Sequence, residues 1–170
     1  MIYVFERQLQ SGSIYPCTQE EIQQKLRVIP EQDLEGLWAI GLVPSTRKDN
    51  SANGRYFRDS KPTIHVYSYP AMLTYKLPPF VKYKHIMDDL KVELQYGMQI
   101  EQIGSRWICK WTREKLRTFI LDHVLLHEIG HHVYHERRSK QGHPYVPFTQ
   151  ASEQFAENYA LRHTKSHHLG

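Results

Sequence analysis

The chain has 170 residues, and 22 Lys and Arg against 18 Asp and Glu give a formal net charge of +4. That length suits one domain with a full hydrophobic core, and a charged fraction of 24% excludes wholesale disorder. No apolar run approaches the roughly 18 residues of a membrane span, and the first residues lack a secretory signal pattern. We therefore expect a cytoplasmic protein without a membrane partner.

The N-terminal half contains strand patterns separated by turn signals. Residues 2–9 are rich in β-branched and aromatic side chains and predict a first strand. Thr18 followed by Glu21 has the form of a capping box, so we expect a helix there that Pro30 ends. Three further segments are predicted in chain order: a buried strand at 37–43, a polar loop at 45–62 containing Asn53-Gly54, and an alternating strand at 63–69.

The C-terminal half changes from strand to helix periodicity. The predicted elements are an irregular segment at 70–79, a short helix at 84–95, a hairpin of 98–103 and 106–111 joined by Gly104-Ser105, a long helix from Thr112 to about Arg138, and a final helix at 151–164. This order predicts an α+β fold, in which a small mixed sheet packs on the long helix. We expect one domain over 1–165 and a tail at 166–170.

The long helix contains the sequence His127-Glu128-Ile129-Gly130-His131, which is an HExxH motif. Histidines four residues apart project from one helical face, so both imidazoles can bind one metal ion, for which zinc is the natural choice. Glu128 follows the first histidine and can act as general base on a zinc-bound water. His123 and His135 extend the spacing of four by one turn on either side, and we expect them to flank the site. The two cysteines, Cys17 and Cys109, form no CxxC pair, which excludes a cysteine zinc site.

A catalytic zinc needs a third protein ligand. Tyr134 and Arg137 occupy the positions where metzincins have Gly and His, which excludes that class. Downstream, Glu153 and Glu157 are four residues apart on one face of the final helix. We expect Glu153 to be the third ligand and Glu157 to accept the other ring N–H of a zinc histidine.

The phrases HEIGHHVYH and SEQFAENYALRH together resemble the gluzincin metallopeptidases. The resemblance extends to the anthrax lethal factor C-terminal-like group, with its pro-pro endopeptidases, and to the minigluzincins. It implies a zincin-like fold and a zinc metalloendopeptidase that hydrolyses peptide or protein substrates, with Glu153 as third ligand. It also implies that Tyr145 stabilises the transition state, although its spacing from Glu153 differs by about one residue from the group's pattern.

The sequence is also compatible with other assignments of the family and of the third ligand. The second motif is also similar to that of the ImmA/IrrE-type metallopeptidases. His143, in Gly142-His143-Pro144, resembles the third histidine of the SprT-like proteases and is a rival zinc ligand. Alternatively, His143 donates to the oxyanion of the reaction. An extended substrate would add to a sheet edge, either at 63–69 or in the hairpin at 98–111.

A basic and aromatic cluster before the active helix suggests a different class of function. Such clusters can hold phosphates and stack bases, so a nucleic-acid-binding zinc protein without turnover is the alternative. The cluster consists of Arg106, Trp107, Lys110, Trp111, Arg113, Lys115 and Arg117, and Arg137, Arg138 and Lys140 follow the helix.

Overall fold

The computed structural model describes residues 2–45, 53–77, 87–147 and 149–165. Its strands are β1 Tyr3–Glu6, β2 Ser13–Ile14, β3 Ala39–Val43, β4 Gly54–Phe57, β5 Thr63–Tyr67, β6 Tyr69–Pro70, β7 Thr74–Lys76, β8 Gln99–Ile103 and β9 Arg106–Lys110. Its helices are α1 Gln19–Leu26, α2 Lys91–Gln95, α3 Arg113–Phe119, α4 Leu125–Lys140 and α5 Gln150–Lys165. The predicted α+β class is confirmed. The expected tail at 166–170 lies outside the described residues.

The largest sheet has the strand order β1-β3-β5-β4. Strands β1, β3 and β5 are parallel, and β4 runs antiparallel to β5. Alternate side chains on one face are buried against the helices, because a strand directs successive residues to opposite faces. This inner face consists of Val4, Ile40, Leu42, Ile64 and Val66, all of which belong to the single core cluster. The mixed sheet is as expected.

Strand β4 corrects the prediction of a loop over 45–62, of which residues 46–52 lie outside the described part of the chain. Because β4 covers the outer side of β5, the segment 63–69 is an internal strand and cannot be the sheet edge that was considered for it. The N–H of Tyr67 donates to the carbonyl of Asn53 over 3.1 Å. In an antiparallel ladder, hydrogen-bonded pairs alternate with pairs that are not hydrogen-bonded to each other. Since Asn53 is hydrogen-bonded to Tyr67, the next residue, Gly54, and also Tyr56 direct their backbone groups away from β5.

The predicted hairpin is confirmed as β8 and β9. Strand β7 pairs with the other side of β9, although its residues fall in the segment predicted to be irregular. The capping box of α1 is also confirmed, with the Glu21 N–H donating to the Thr18 hydroxyl and the Thr18 N–H donating to the Glu21 carboxylate. The predicted first strand is shorter than expected. Of the helix predicted at 84–95, residues 87–89 and α2 are helical, and 84–86 are outside the described residues.

The predicted long helix is observed from Arg113 to Lys140, with one π turn at Ile120–Val124 joining α3 to α4. The N–H of Leu125 donates to the carbonyl of Ile120, five residues earlier. Within this turn, the Asp122 carbonyl accepts hydrogen bonds from the hydroxyls of Tyr96 and Thr164. The turn is thereby anchored to the residue after α2 and to α5.

The predicted final helix is observed as α5, and it approaches α4 closely at Gly130. A Cβ atom on Gly130 would lie 2.7 Å from the Cα of Ala156 and 3.0 Å from the Cβ of Tyr159. Only glycine permits this distance between the two helices. Since Gly130 lies within the HExxH motif, the motif itself sets the distance between α4 and α5. Among the described helices, none is long and apolar enough to cross a membrane.

Candidate metal centre

The two motif histidines lie on the face of α4 that is directed toward α5. The other faces of α4 are fixed in the core by Leu125, Leu126, Ile129 and Val133. Because Gly130 holds α5 near, the carboxylate of Glu153 in its first turn reaches both imidazoles. The predicted trio of His127, His131 and Glu153 is therefore brought together.

The ligand atoms of this trio are spaced as one metal ion requires. The Nε2 atoms of His127 and His131 are 3.1 Å apart. Each lies near one oxygen of Glu153, at 3.4 Å for His127 and 3.5 Å for His131. A tetrahedral zinc with bonds of about 2.0–2.1 Å has its ligand atoms about 3.3–3.4 Å apart. The donor set and its spacing thus fit zinc, with a fourth position left for water.

Glu157 lies one turn after Glu153 and approaches the opposite nitrogen of His127. Its Oε2 atom is 3.5 Å from His127 Nδ1 and 3.6 Å from His123 Nε2. His127 Nδ1 is buried and has no hydrogen bond of good geometry, so this carboxylate is the acceptor at hand. A proton on Nδ1 that is directed at Glu157 leaves the Nε2 lone pair of His127 free for a metal.

The charges around the trio differ between its two histidines. Burial, together with the neighbouring His127 and His135, lowers the pKa of His131 to about 3, so this imidazole is neutral and ready to ligate. Burial also lowers the pKa of His127, but Glu157 and the other nearby carboxylates outweigh burial and raise it. The His127 imidazole, whose Nδ1 lies 3.5 Å from Glu157, in turn lowers the pKa of that carboxyl.

Glu128 is enclosed between α4 and the edge strand β4. Its side chain is buried, and a Cβ on Gly54 would lie 3.2 Å from its Cγ. Burial raises the pKa of Glu128 to about 7, while His127 and the backbone N–H of Tyr56 lower it. A carboxyl with a pKa near neutrality can both accept and return a proton at neutral pH.

Tyr145 is placed beyond the second histidine, one helical turn further along the site. Its ring packs edge-on against His135 with the centroids 4.6 Å apart, and the Arg58 guanidinium lies 5.6 Å from its centroid. The residue is 39% exposed, so Tyr145 lies at the solvent-facing side of His135. His135 is buried beneath it and stacks on Tyr56.

His143 lies in the exposed turn after α4, where its backbone N–H donates to the Arg138 carbonyl. Among the described residues, two groups of His and Glu could hold a metal ion, and His143 belongs to neither. The groups are His127, His131 and Glu153, and His123, His127 and Glu157. His132 is also apart from the trio: its Nε2 is 2.9 Å from the Glu35 carbonyl and its Nδ1 is 3.4 Å from the Tyr56 hydroxyl.

The basic and aromatic cluster is only partly accessible. Trp111 is buried and stacks on Phe119, with ring centroids 5.2 Å apart. Lys110 is paired with Glu101, and the Arg117 guanidinium is 2.9 Å from Glu21.

Two residues near the site were missed by sequence reasoning. Gly54 and Tyr56 in β4 line the motif helix, but Asn53-Gly54 was interpreted as a turn signal. The available signal was the aromatic pair Tyr56-Phe57, since aromatic residues are enriched in strands.

No protein family model matches this chain, and no curated protein or solved structure matches it either.

Proposed function

We propose that the protein is a zinc-dependent endopeptidase of gluzincin type with a zincin-like domain. The observation that supports this most directly is the spacing of 3.1–3.5 Å among the ligand atoms of His127, His131 and Glu153. Three side chains from two helices converge at the separation that tetrahedral zinc needs, and the fourth position is open. Zinc held there lowers the pKa of a water toward about 7 and polarises the scissile carbonyl.

Side chains of the protein would then transfer the proton, orient the zinc ligand and stabilise the oxyanion. Glu128 takes a proton from the attacking water and delivers it to the leaving amine nitrogen. Glu157 holds His127 in the tautomer that ligates through Nε2. Tyr145, at the solvent side beyond His131, is the candidate donor to the oxyanion. His143, in the exposed turn, is the second candidate for that role.

Strand β4 provides a place for an extended substrate beside Glu128. The Tyr56 N–H donates to Glu128, so a peptide would add to this edge through the backbone groups of Gly54 and the Tyr56 carbonyl, which are also directed away from β5. Such binding does not require particular side chains, which suits an endopeptidase whose specificity is set by loops. The edge also lies directly against the proposed general base.

The first test is zinc content by elemental analysis after loading and desalting at neutral pH. The wild type is compared with Glu153→Ala and with His143→Ala as the matched control. We expect stoichiometric zinc in the wild type and in His143→Ala, and its loss in Glu153→Ala. Loss of zinc only in His143→Ala would instead support the SprT-like arrangement.

The second test is hydrolysis of a peptide library, with zinc-loaded Glu128→Gln as the blank. This substitution keeps the shape of the side chain and removes the base. We expect zinc-dependent cleavage by the wild type and none by the blank. A wild type that takes up no zinc would refute the proposal, and a zinc-loaded wild type that cleaves nothing would indicate a zinc-stabilised domain without turnover.

A further inference from the structure

A row of aromatic side chains, of which two are exposed and one is half-buried, lies on the outer face of the large sheet, on the side opposite α4. The row consists of Phe5, Tyr3 and Trp38, and Arg7 and Lys61 lie at its two ends; we call it the aromatic row. Tyr3 and Phe5 flank Val4, whose side chain is in the core, so they are directed outward. Tyr3 is 60% exposed and Trp38 is 45% exposed.

The members of the row contact each other in sequence. The rings of Phe5 and Tyr3 are stacked, with centroids 5.7 Å apart and an interplanar angle of 18°. The centroids of Tyr3 and Trp38 are 6.3 Å apart. The Arg7 guanidinium lies 6.0 Å from the Phe5 centroid, and the Lys61 ammonium lies 4.7 Å from the Trp38 ring.

The backbone of β3 lies directly beneath the row. A Cβ on Gly41 would lie 2.3 Å from the Cζ of Phe5, so the Phe5 ring rests directly on the backbone of β3. The ring is thereby fixed in place as a flat support for Tyr3. Pre-organised rings lose little conformational entropy when a flat ligand stacks on them.

The charge of the row is positive. Arg7 and Lys61 are both exposed. Glu6 alternates with Phe5 in β1 as Val4 does, so its side chain is directed to the opposite side of the strand from Tyr3 and Phe5. At the other end of the row, the Asp59 carboxylate accepts from the Lys61 backbone N–H over 2.9 Å, so Arg7, Lys61 and Asp59 together carry a net charge of +1. Ring faces flanked by cations offer stacking to bases and charge pairing to phosphates.

We propose that the aromatic row binds single-stranded nucleic acid, with bases stacked on Tyr3 and Trp38 and phosphates paired with Arg7 and Lys61. The contacts offered are ring faces and cations, so DNA and RNA single strands are bound alike. Duplexes, whose bases are already stacked, are not bound by this row. This function is separate from the metal centre, which lies on the other face of the sheet.

The test is fluorescence anisotropy with labelled single strands of 15 thymidylates and of 15 uridylates, using metal-free and zinc-loaded protein. Each stacked base contributes about 1–3 kcal/mol, so Trp38→Ala is expected to weaken binding at least about fivefold, and Trp38→Phe to restore most of it. With two phosphate contacts, raising salt from 50 to 200 mM should weaken binding about sevenfold. Met72→Ala, which removes an exposed apolar side chain outside both the row and the proposed metal centre, is the control.

Several results would overturn the proposal. One is the absence of binding by either strand, and another is binding of only one of the two. Loss of binding in the double variant Arg113→Glu/Lys115→Glu, with Arg7→Glu/Lys61→Glu unaffected, would move the surface to the start of α3. Binding of a proline-rich peptide, but of neither strand, would make the row a peptide-docking surface.

Discussion

The substitution Gly130→Ala tests whether the contact between α4 and α5 sets the metal centre. The added Cβ would lie 2.7 Å from a backbone atom of Ala156, whereas carbon atoms prefer about 3.5–4.0 Å. The helices must therefore separate by about 1 Å. Overpacking of this kind costs about 1–3 kcal/mol, and the higher helix propensity of alanine returns up to about 1 kcal/mol.

We expect a net loss of about 1–2 kcal/mol in the free energy of unfolding, measured by urea denaturation of the metal-free protein. A displacement of about 1 Å also exceeds the tolerance of about 0.2 Å for metal-ligand distances, so zinc affinity should fall at least about tenfold. Ser139→Ala, in the exposed last turn of α4, is the control and should be neutral or slightly stabilising. Unchanged stability together with unchanged zinc affinity in Gly130→Ala would refute the reasoning.

Three further predictions concern polar groups near the metal centre and in the core. Glu157→Gln should weaken zinc binding about 10- to 100-fold in a competition titration, because His127 loses its charged acceptor. His135→Gln should flatten the fall in stability between pH 6.5 and 4 by about 2–3 kcal/mol, since burial lowers the pKa of His135 to about 4 and the unfolded chain binds more protons in that window. Tyr159→Phe should cost about 1–2 kcal/mol in urea denaturation, because the Tyr159 hydroxyl donates to the buried carboxylate of Asp33 over 3.0 Å.

Each of these predictions has a discriminating result. A Glu157→Asp variant with partial recovery of zinc affinity would support the hydrogen bond, and full affinity in Glu157→Gln would contradict it. Parallel stability curves for the wild type and His135→Gln from pH 4 to 8 would show that His135 is not neutral in the folded protein. An unchanged urea midpoint in Tyr159→Phe would mean that Asp33 is satisfied by Arg137 alone, which lies 3.4 Å away.

The elements that were predicted correctly from the sequence are those that short-range interactions along the chain specify. The helix that carries HExxH, the capping box at Thr18 and the hairpin at Gly104 each depend on contacts between residues close in the chain. The convergence of Glu153 on His127 was also predicted, because a catalytic zinc on HExxH needs a third ligand and the second motif resembles that of the gluzincins.

The elements that the sequence missed depend on distant partners. Position 54 is a glycine because Val124 and Glu128 leave no room for a side chain there, and it lies in a strand because it pairs with β5; no nearby residue indicates either. The π turn has no local signal either, since its Asp122 carbonyl is held by hydroxyls of Tyr96 and Thr164 from other parts of the chain. The edge position of β4 likewise follows from the order of strands in the sheet, which the strand patterns alone do not fix.

The close approach of α4 and α5 has a consequence for the order of folding. His127 and Glu153 are 26 positions apart in the chain, whereas strand β1 pairs with β3 over 36 positions, from Tyr3 to Ala39. Short loops close at lower entropic cost, so we expect the helical pair, like the hairpin of β4 and β5, to form before β1 joins the sheet. The chain can then hold its metal before the large sheet is complete. Pulse-labelled hydrogen exchange should accordingly find amides of α4 and α5 protected earlier than those of β1.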